Sequence, residues 1–177
     1  MIVDIGYEKN KNILAVSLAN HLLSTTGKPV FLCVGTDKIV CDSVGAITGE
    51  LLLKKYKINA YVYGTLEKNV DANNLESTIK RVKENHPNSP IILIDGILGE
   101  LDEIGQVKFY PSGAIAGGEF HKGVYIGDYS ILAVVNTKGI DSLNLLKCVK
   151  LNNILRFAEF IAESIAKAFR VGLNLIG

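Results

Sequence analysis

Apolar positions along the chain follow two rhythms, one of helices and one of short unbroken runs. From residue 10 to 26, Ile13, Leu14, Val16, Leu18, Ala19, Leu22 and Leu23 recur at helical spacing, and Gly27-Lys28-Pro29 closes the segment. Pro29 to Val34 is an apolar run followed by glycine, which predicts a strand buried on both faces. A second helix is expected from about Asp42 to Lys57, with Val44, Ile47, Leu51 and Leu52 inward and Glu50, Lys54 and Lys55 outward. Asn59 to Tyr63 is the next short strand. Leu75, Ile79 and Val82 mark a helix from Leu75 to Asn85, with Glu76 one turn before Lys80 and His86-Pro87 as its stop. Ile91 to Ile94, Val107 to Tyr110 and Ser130 to Val135 read as further strands. In the last 25 residues a polar stripe of Arg156, Glu159, Glu163, Lys167 and Arg170 opposes Ile154, Phe157, Ile161, Ile165 and Phe169, the signature of a helix packed on a sheet.

Strands that alternate with helices through short connections imply a parallel sheet covered on both faces. The expected architecture is α/β: one domain over residues 1–177, a three-layer α/β/α sandwich with a mainly parallel sheet of about five strands. The runs at 30–34, 91–94 and 130–135 are its expected centre. Residues 96 to 128 break the pattern, holding eight of the seventeen glycines, and read as a long loop. Its portion from Gly113 to Gly123 is expected to be the most mobile internal segment and to close over a bound peptide.

Charge narrows the function. With 19 basic and 18 acidic residues there is no global field to draw in nucleic acid or an anionic membrane. No apolar run reaches the roughly 20 residues of a membrane span, and Asp4 and Glu8 stand where a signal peptide would carry basic residues. A cytoplasmic, soluble protein is expected, with a homo-oligomer compatible. Cys33, Cys41 and Cys148 are too scattered for a disulfide framework or a four-ligand zinc site. Cys33 belongs to core packing, while Cys41, beside Asp42 at a helix start, admits a depressed pKa and reactivity.

The candidate chemistry centres on Asp42 and Asp95. Each is expected just past the C-terminal end of a buried parallel strand, where such folds hold their sites. Singly, Asp42 also suits a helix N-cap and Asp95-Gly96 a strand-end turn. Gly35 and Gly45 do not complete a Gly-x-Gly-x-x-Gly or a Gly-Lys-Ser/Thr signature, so nucleotide binding has little support. Ser43 lacks a Gly-x-Ser-x-Gly elbow and serves as a nucleophile only with a base the sequence does not supply. One trio suits a metal, Asp42 and Asp95 with His121, although a histidine in a polar loop such as His121 is more often a solvated side chain than a ligand. His21 and His86, at helix ends, read as structural.

Gly35-Thr36-Asp37 followed by Asp42-Ser43-Val44-Gly45, then Ile94-Asp95-Gly96-Ile97-Leu98-Gly99, the Pro111 to Gly118 loop and Ala133-Val134-Val135-Asn136 resemble the YyaC-type sporulation proteins, a group read as spore proteases. The likeness runs from about residue 10 to 176. More distantly the chain resembles the germination protease of spore formers and, at fold level, the hydrogenase maturation peptidases with their phosphorylase/hydrolase-like sandwich. The germination-protease resemblance implies that Asp42 and Asp95 are catalytic aspartates. The hydrogenase-peptidase resemblance implies instead that both are metal-binding acids. Gly35, Thr36, Asp37, Ser43, Gly96, Gly113, Gly117, Gly118 and Asn136 follow as substrate-binding positions. This chain is much shorter than germination protease, so control by a propeptide does not carry over.

The expected function is a sporulation-associated peptidase without a cofactor. It would cut a protein or peptide, small spore proteins among the candidates, inside a spore-forming cell or its spore. A non-catalytic protein that holds a peptide in the same crevice and a metal-dependent peptidase are the alternatives.

Overall fold

The computed structural model describes residues 1–117, 123–138 and 149–176, with the side chains of 173–176 left out of account. Elements follow in the order β1 (Ile2–Asp4), α1 (Lys9–Leu23), β2 (Val30–Cys33), a 3-10 turn (Val40–Asp42), α2 (Val44–Lys54), β3 (Tyr61–Tyr63) and α3 (Leu75–Asn85). Then come β4 (Ile91–Gly99), a 3-10 turn (Leu101–Glu103), β5 (Gln106–Tyr110), β6 (Ala114–Ala116), β7 (Val124–Ile126), β8 (Tyr129–Thr137) and α4 (Leu151–Ile176).

Six strands form one sheet in the order β1-β5-β8-β4-β2-β3. The four from β8 to β3 run parallel, while β5 is antiparallel to β8 and β1 to β5. The connection from β4 to β5 is a single 3-10 turn, too short for the crossover a parallel pair needs, so β5 reverses direction. The three runs expected at the centre are β2, β4 and β8, which lie side by side.

Successive residues of these strands feed opposite cores. Phe31 and Cys33, Ile92 and Ile94, and Ile131 and Ala133 pack with Leu14, Leu18, Leu52, Phe157 and Ile161 under α1, α2 and α4. Leu32, Leu93 and Leu132 pack with Leu75, Ile79 and Val82 of α3 and with Ala116 and Ile126. Two cores, one per face, explain why the runs 30–33, 91–94 and 131–135 are apolar at every position. Helix α1 departs from strict amphipathicity, because Leu14 and Leu18 are buried whereas Ile13 and Val16 are each 47% exposed.

Among the described residues, the glycine-rich stretch after residue 96 carries more regular structure than its composition suggests. β4 continues through Asp95 and Gly96 to Gly99, and β5 follows. Ala114–Ala116 then pairs antiparallel with Val124–Ile126. At Gly113 a β-carbon would run into the Ile126 and Gly127 carbonyl oxygens, so glycine here permits a close backbone crossing. Residues 118–122, the heart of the expected mobile segment, lie outside the described residues.

Candidate active site

A cleft of about 620 Å³ opens at the C-terminal ends of β2 and β4. The chain leaves β2 through α2 on one face of the sheet and returns to β4 through α3 on the other, so the two strands flank the switch point at which open α/β sheets bind ligands. Asp42 and Asp95 both line this cleft, together with Asp71.

Asp42 ends the 3-10 turn Val40–Asp42. It is not the cap of α2. The N-cap is Ser43, and its hydroxyl donates to the Val40 carbonyl at 2.6 Å instead of capping the helix. The turn is fixed by backbone contact, with the Thr36 N–H donating to the Asp42 carbonyl at 3.0 Å. Gly35, at φ 142°, sits so close to that carbonyl oxygen that no β-carbon fits between them. The Gly35 N–H donates to the Val70 carbonyl at 2.7 Å, and the Asn69 amide donates to the Thr36 hydroxyl at 3.0 Å. The loop after β2 is thereby tied to the segment that leads into α3.

Burial pushes the Asp42 carboxyl up to about 6, with the negative charge of Asp71 adding to the effect and a hydrogen bond from the Thr36 backbone opposing it. Asp71 precedes α3, and its carboxylate accepts the Asn73 N–H at 2.9 Å. Asp95 is 5% exposed and lies within β4 rather than past its end, since the parallel pairing with β8 runs on to Gly99↔Thr137. The expected Asp95-Gly96 turn is therefore replaced by continuous strand.

The remaining expected site residues divide. Gly35 shapes the turn, and Thr36, Gly96 and Gly117 line the cleft beside the acids. Asp37 is exposed and away from the lining, Ser43 is buried with its hydroxyl in the turn, and Gly113 supports the hairpin crossing. Asn136 sits near the end of β8, its side-chain oxygen accepting the Thr137 N–H at 2.9 Å, while the neighbouring Val135 and Lys138 line the cleft. Gly118 and His121 lie outside the described residues. Among the described residues no three His, Cys, Asp or Glu side chains group closely enough to hold a metal ion.

Sequence reasoning passed over Asp71, the third acid of the cleft, and the apolar wall of Ile39, Ile97 and Ile115. Asp71 had a readable signal, because it follows β3 as Asp42 follows β2, ahead of the helix that returns to β4. The thiol of Cys41 is not activated, against the one reading of its position that admitted a depressed pKa. Burial, with the adjacent Asp42 charge, pushes it up to about 11, which leaves it protonated and unreactive near neutrality. Cys33 is raised as well, by burial alone.

The profile of the family described as "Protein of unknown function (DUF1256)" matches residues 4–164. The "Uncharacterized protein YyaC" of Bacillus subtilis (strain 168) is 30% identical over 151 residues, spanning 84% of this chain and 74% of that protein. Among solved structures, the NiFe hydrogenase maturation protease HycI of Thermococcus kodakarensis KOD1 aligns with a TM-score of 0.44 and 18% identity, over 84% of this chain and 98% of HycI. A family profile spanning most of the chain and a relative alike along most of both lengths bear out the YyaC-type resemblance: the chain belongs to the DUF1256 family.

Proposed function

We propose that the protein is a peptidase that cuts a protein substrate in the cleft between β2 and β4, with Asp42 and Asp95 as the proton-transfer pair. The observation that carries this reading is that both acids line one cleft while burial holds Asp42 near 6. A carboxyl at that value keeps a protonated fraction near neutrality and can hand over its proton, which an ordinary aspartic acid cannot. In the proposed step Asp95 takes a proton from water as the water oxygen attacks the scissile carbonyl carbon. Asp42 gives its proton to the carbonyl oxygen. Collapse of the tetrahedral adduct breaks the C–N bond: the proton on Asp95 passes to the departing nitrogen, and one hydroxyl of the adduct returns its proton to Asp42 as the C=O bond re-forms, which restores the starting pair.

The motif resemblance to the YyaC-type sporulation proteins supports small spore proteins as substrates and the interior of a spore-forming cell as the place of action. Among the described residues no helix is long and apolar enough to cross a membrane.

The test is incubation with a spore-protein extract, with fragments mapped by mass spectrometry. Fragments from the native chain and none from Asp95→Asn are expected. Peptides held intact by the native chain, with or without added divalent metal, would replace this reading with that of a peptide-binding protein.

A further inference from the structure

β4 has two neighbours of unequal length. β8 pairs with it from Ile92 to Gly99, whereas β2 pairs with it only from Ile91 to Ile94. The last rung on the β2 side is the Val34 N–H donating to the Ile94 carbonyl at 2.8 Å. Beyond it the chain turns away, with Val34 and Gly35 both bridging to Val70. Among the described residues no strand takes the vacated place beside Gly96, Ile97 and Leu98, and those three residues line the cleft.

In a parallel ladder both backbone polar groups of a residue point to the same neighbour, and the direction alternates along the strand. The Ile94 carbonyl points toward β2, so Gly96, two residues on, points its N–H and C=O the same way, into the cleft. Such groups call for partners, and a polypeptide in extended form supplies them at strand spacing.

We propose that the open edge of β4 at Gly96 is a docking strand, on which an extended polypeptide adds to the sheet inside the cleft. This inference rests on the peptidase reading of the same cleft and names its substrate class: unfolded or flexible segments rather than folded surfaces. An added strand lies about 4.8 Å from β4. Its backbone then runs past Gly96, next in sequence to Asp95, while its alternate side chains meet the apolar walls of Ile39 and Ile115. Selection is consequently by backbone form first and by side chain second.

The test uses two octapeptide pools of the same random composition, one with an ordinary backbone and one N-methylated at every residue. Each is offered to immobilised chain carrying Asp42→Asn, so that bound peptide stays intact, and to the native chain. The ordinary pool should be retained at least tenfold more than the methylated pool. In solution it should slow amide exchange at Gly96, followed by NMR, at least tenfold. Equal retention of the two pools, retention of neither, or unchanged exchange at Gly96 overturns the proposal. Cleavage by the native chain with Gly96 exchange unchanged ends strand addition and leaves the peptidase standing. Retention with slowed exchange but no cleavage does the reverse.

Discussion

Gly35 and Asp42 meet backbone to backbone: the α-carbon of the first lies so close to the carbonyl oxygen of the second that a β-carbon has no room, at a φ of 142° that L side chains rarely adopt. Gly35→Ala must therefore move the turn that carries Asp42. It is expected to cost about 2 to 4 kcal/mol, as strain and overpacking add. A shifted urea midpoint at unchanged m-value is the measure, and an unchanged midpoint would show that the turn relaxes freely.

Asp42 makes stability depend on pH in a defined window. Its carboxyl is raised to about 6 when folded, so between roughly pH 4 and 6 the folded chain holds more protons than the unfolded chain. The contribution is fully present below about pH 4 and is lost as pH rises through 6. Asp42→Asn should flatten this slope and be more stable than the native chain at pH 8. The full shift is worth about 3 kcal/mol, and solvent screening of a half-buried group reduces this to about 1 to 2 kcal/mol. Urea melts of both proteins at pH 4, 6 and 8 decide it. A native chain no less stable at pH 8 than at pH 4, relative to the variant, contradicts the raised value.

Asp71 contributes to that raised value through its charge. Asp71→Asn is expected to lower the Asp42 titration midpoint without moving the turn, because Asn accepts the Asn73 N–H as the carboxylate does. Carboxyl NMR of Asp42 reads the shift directly, and the alkaline limb of any cleavage profile, where the proton donor is lost, should follow it downward. An Asp42 midpoint that stays in place leaves burial as its sole cause.

How much of this was legible depended on how each signal was written. β2, β4 and β8 stood out because burial on both faces gives each an unbroken apolar run, 30–33, 91–94 and 131–135, and α3 because His86-Pro87 stops it at Asn85. β1 is only Ile2–Asp4, three residues at the sheet edge, too short for any period to register. The hairpin was hidden because Gly113 and Gly117 resemble loop punctuation, although Gly113 marks a close crossing. Gly96 likewise masked the continuation of β4, whose ladder with β8 holds the strand despite a residue poor in strand propensity. At the site, an aspartate ahead of a helix reads as a cap by default, which obscured Asp71. Asp37 and Ser43 came in with the motifs that carry the family resemblance, and the turn directs both elsewhere.

Asp95 and Asp37 form a matched contrast, one 5% exposed inside the cleft and the other exposed outside it. Asp95→Asn should lower kcat by about 100-fold to 10,000-fold, the range a positioned acid or base supplies. Asp37→Ala should leave kcat intact and stability within about 0.5 kcal/mol, as for an exposed substitution. Equal losses in the two variants would remove Asp95 from the chemistry.

Ile115 and Tyr125 oppose each other across the β6–β7 hairpin, 63% and 65% exposed, and Ile115 forms part of the cleft wall. Exposed apolar side chains on an otherwise small hairpin gain most when a substrate covers them. Covering an isoleucine is worth about 1.5 to 3 kcal/mol in full, and Ile115 is already partly shielded. Ile115→Ser should accordingly raise KM about tenfold while kcat and melting temperature hold, because the group acts equally on bound substrate and transition state. A fall in kcat at constant KM would instead place Ile115 among the groups that orient the scissile bond.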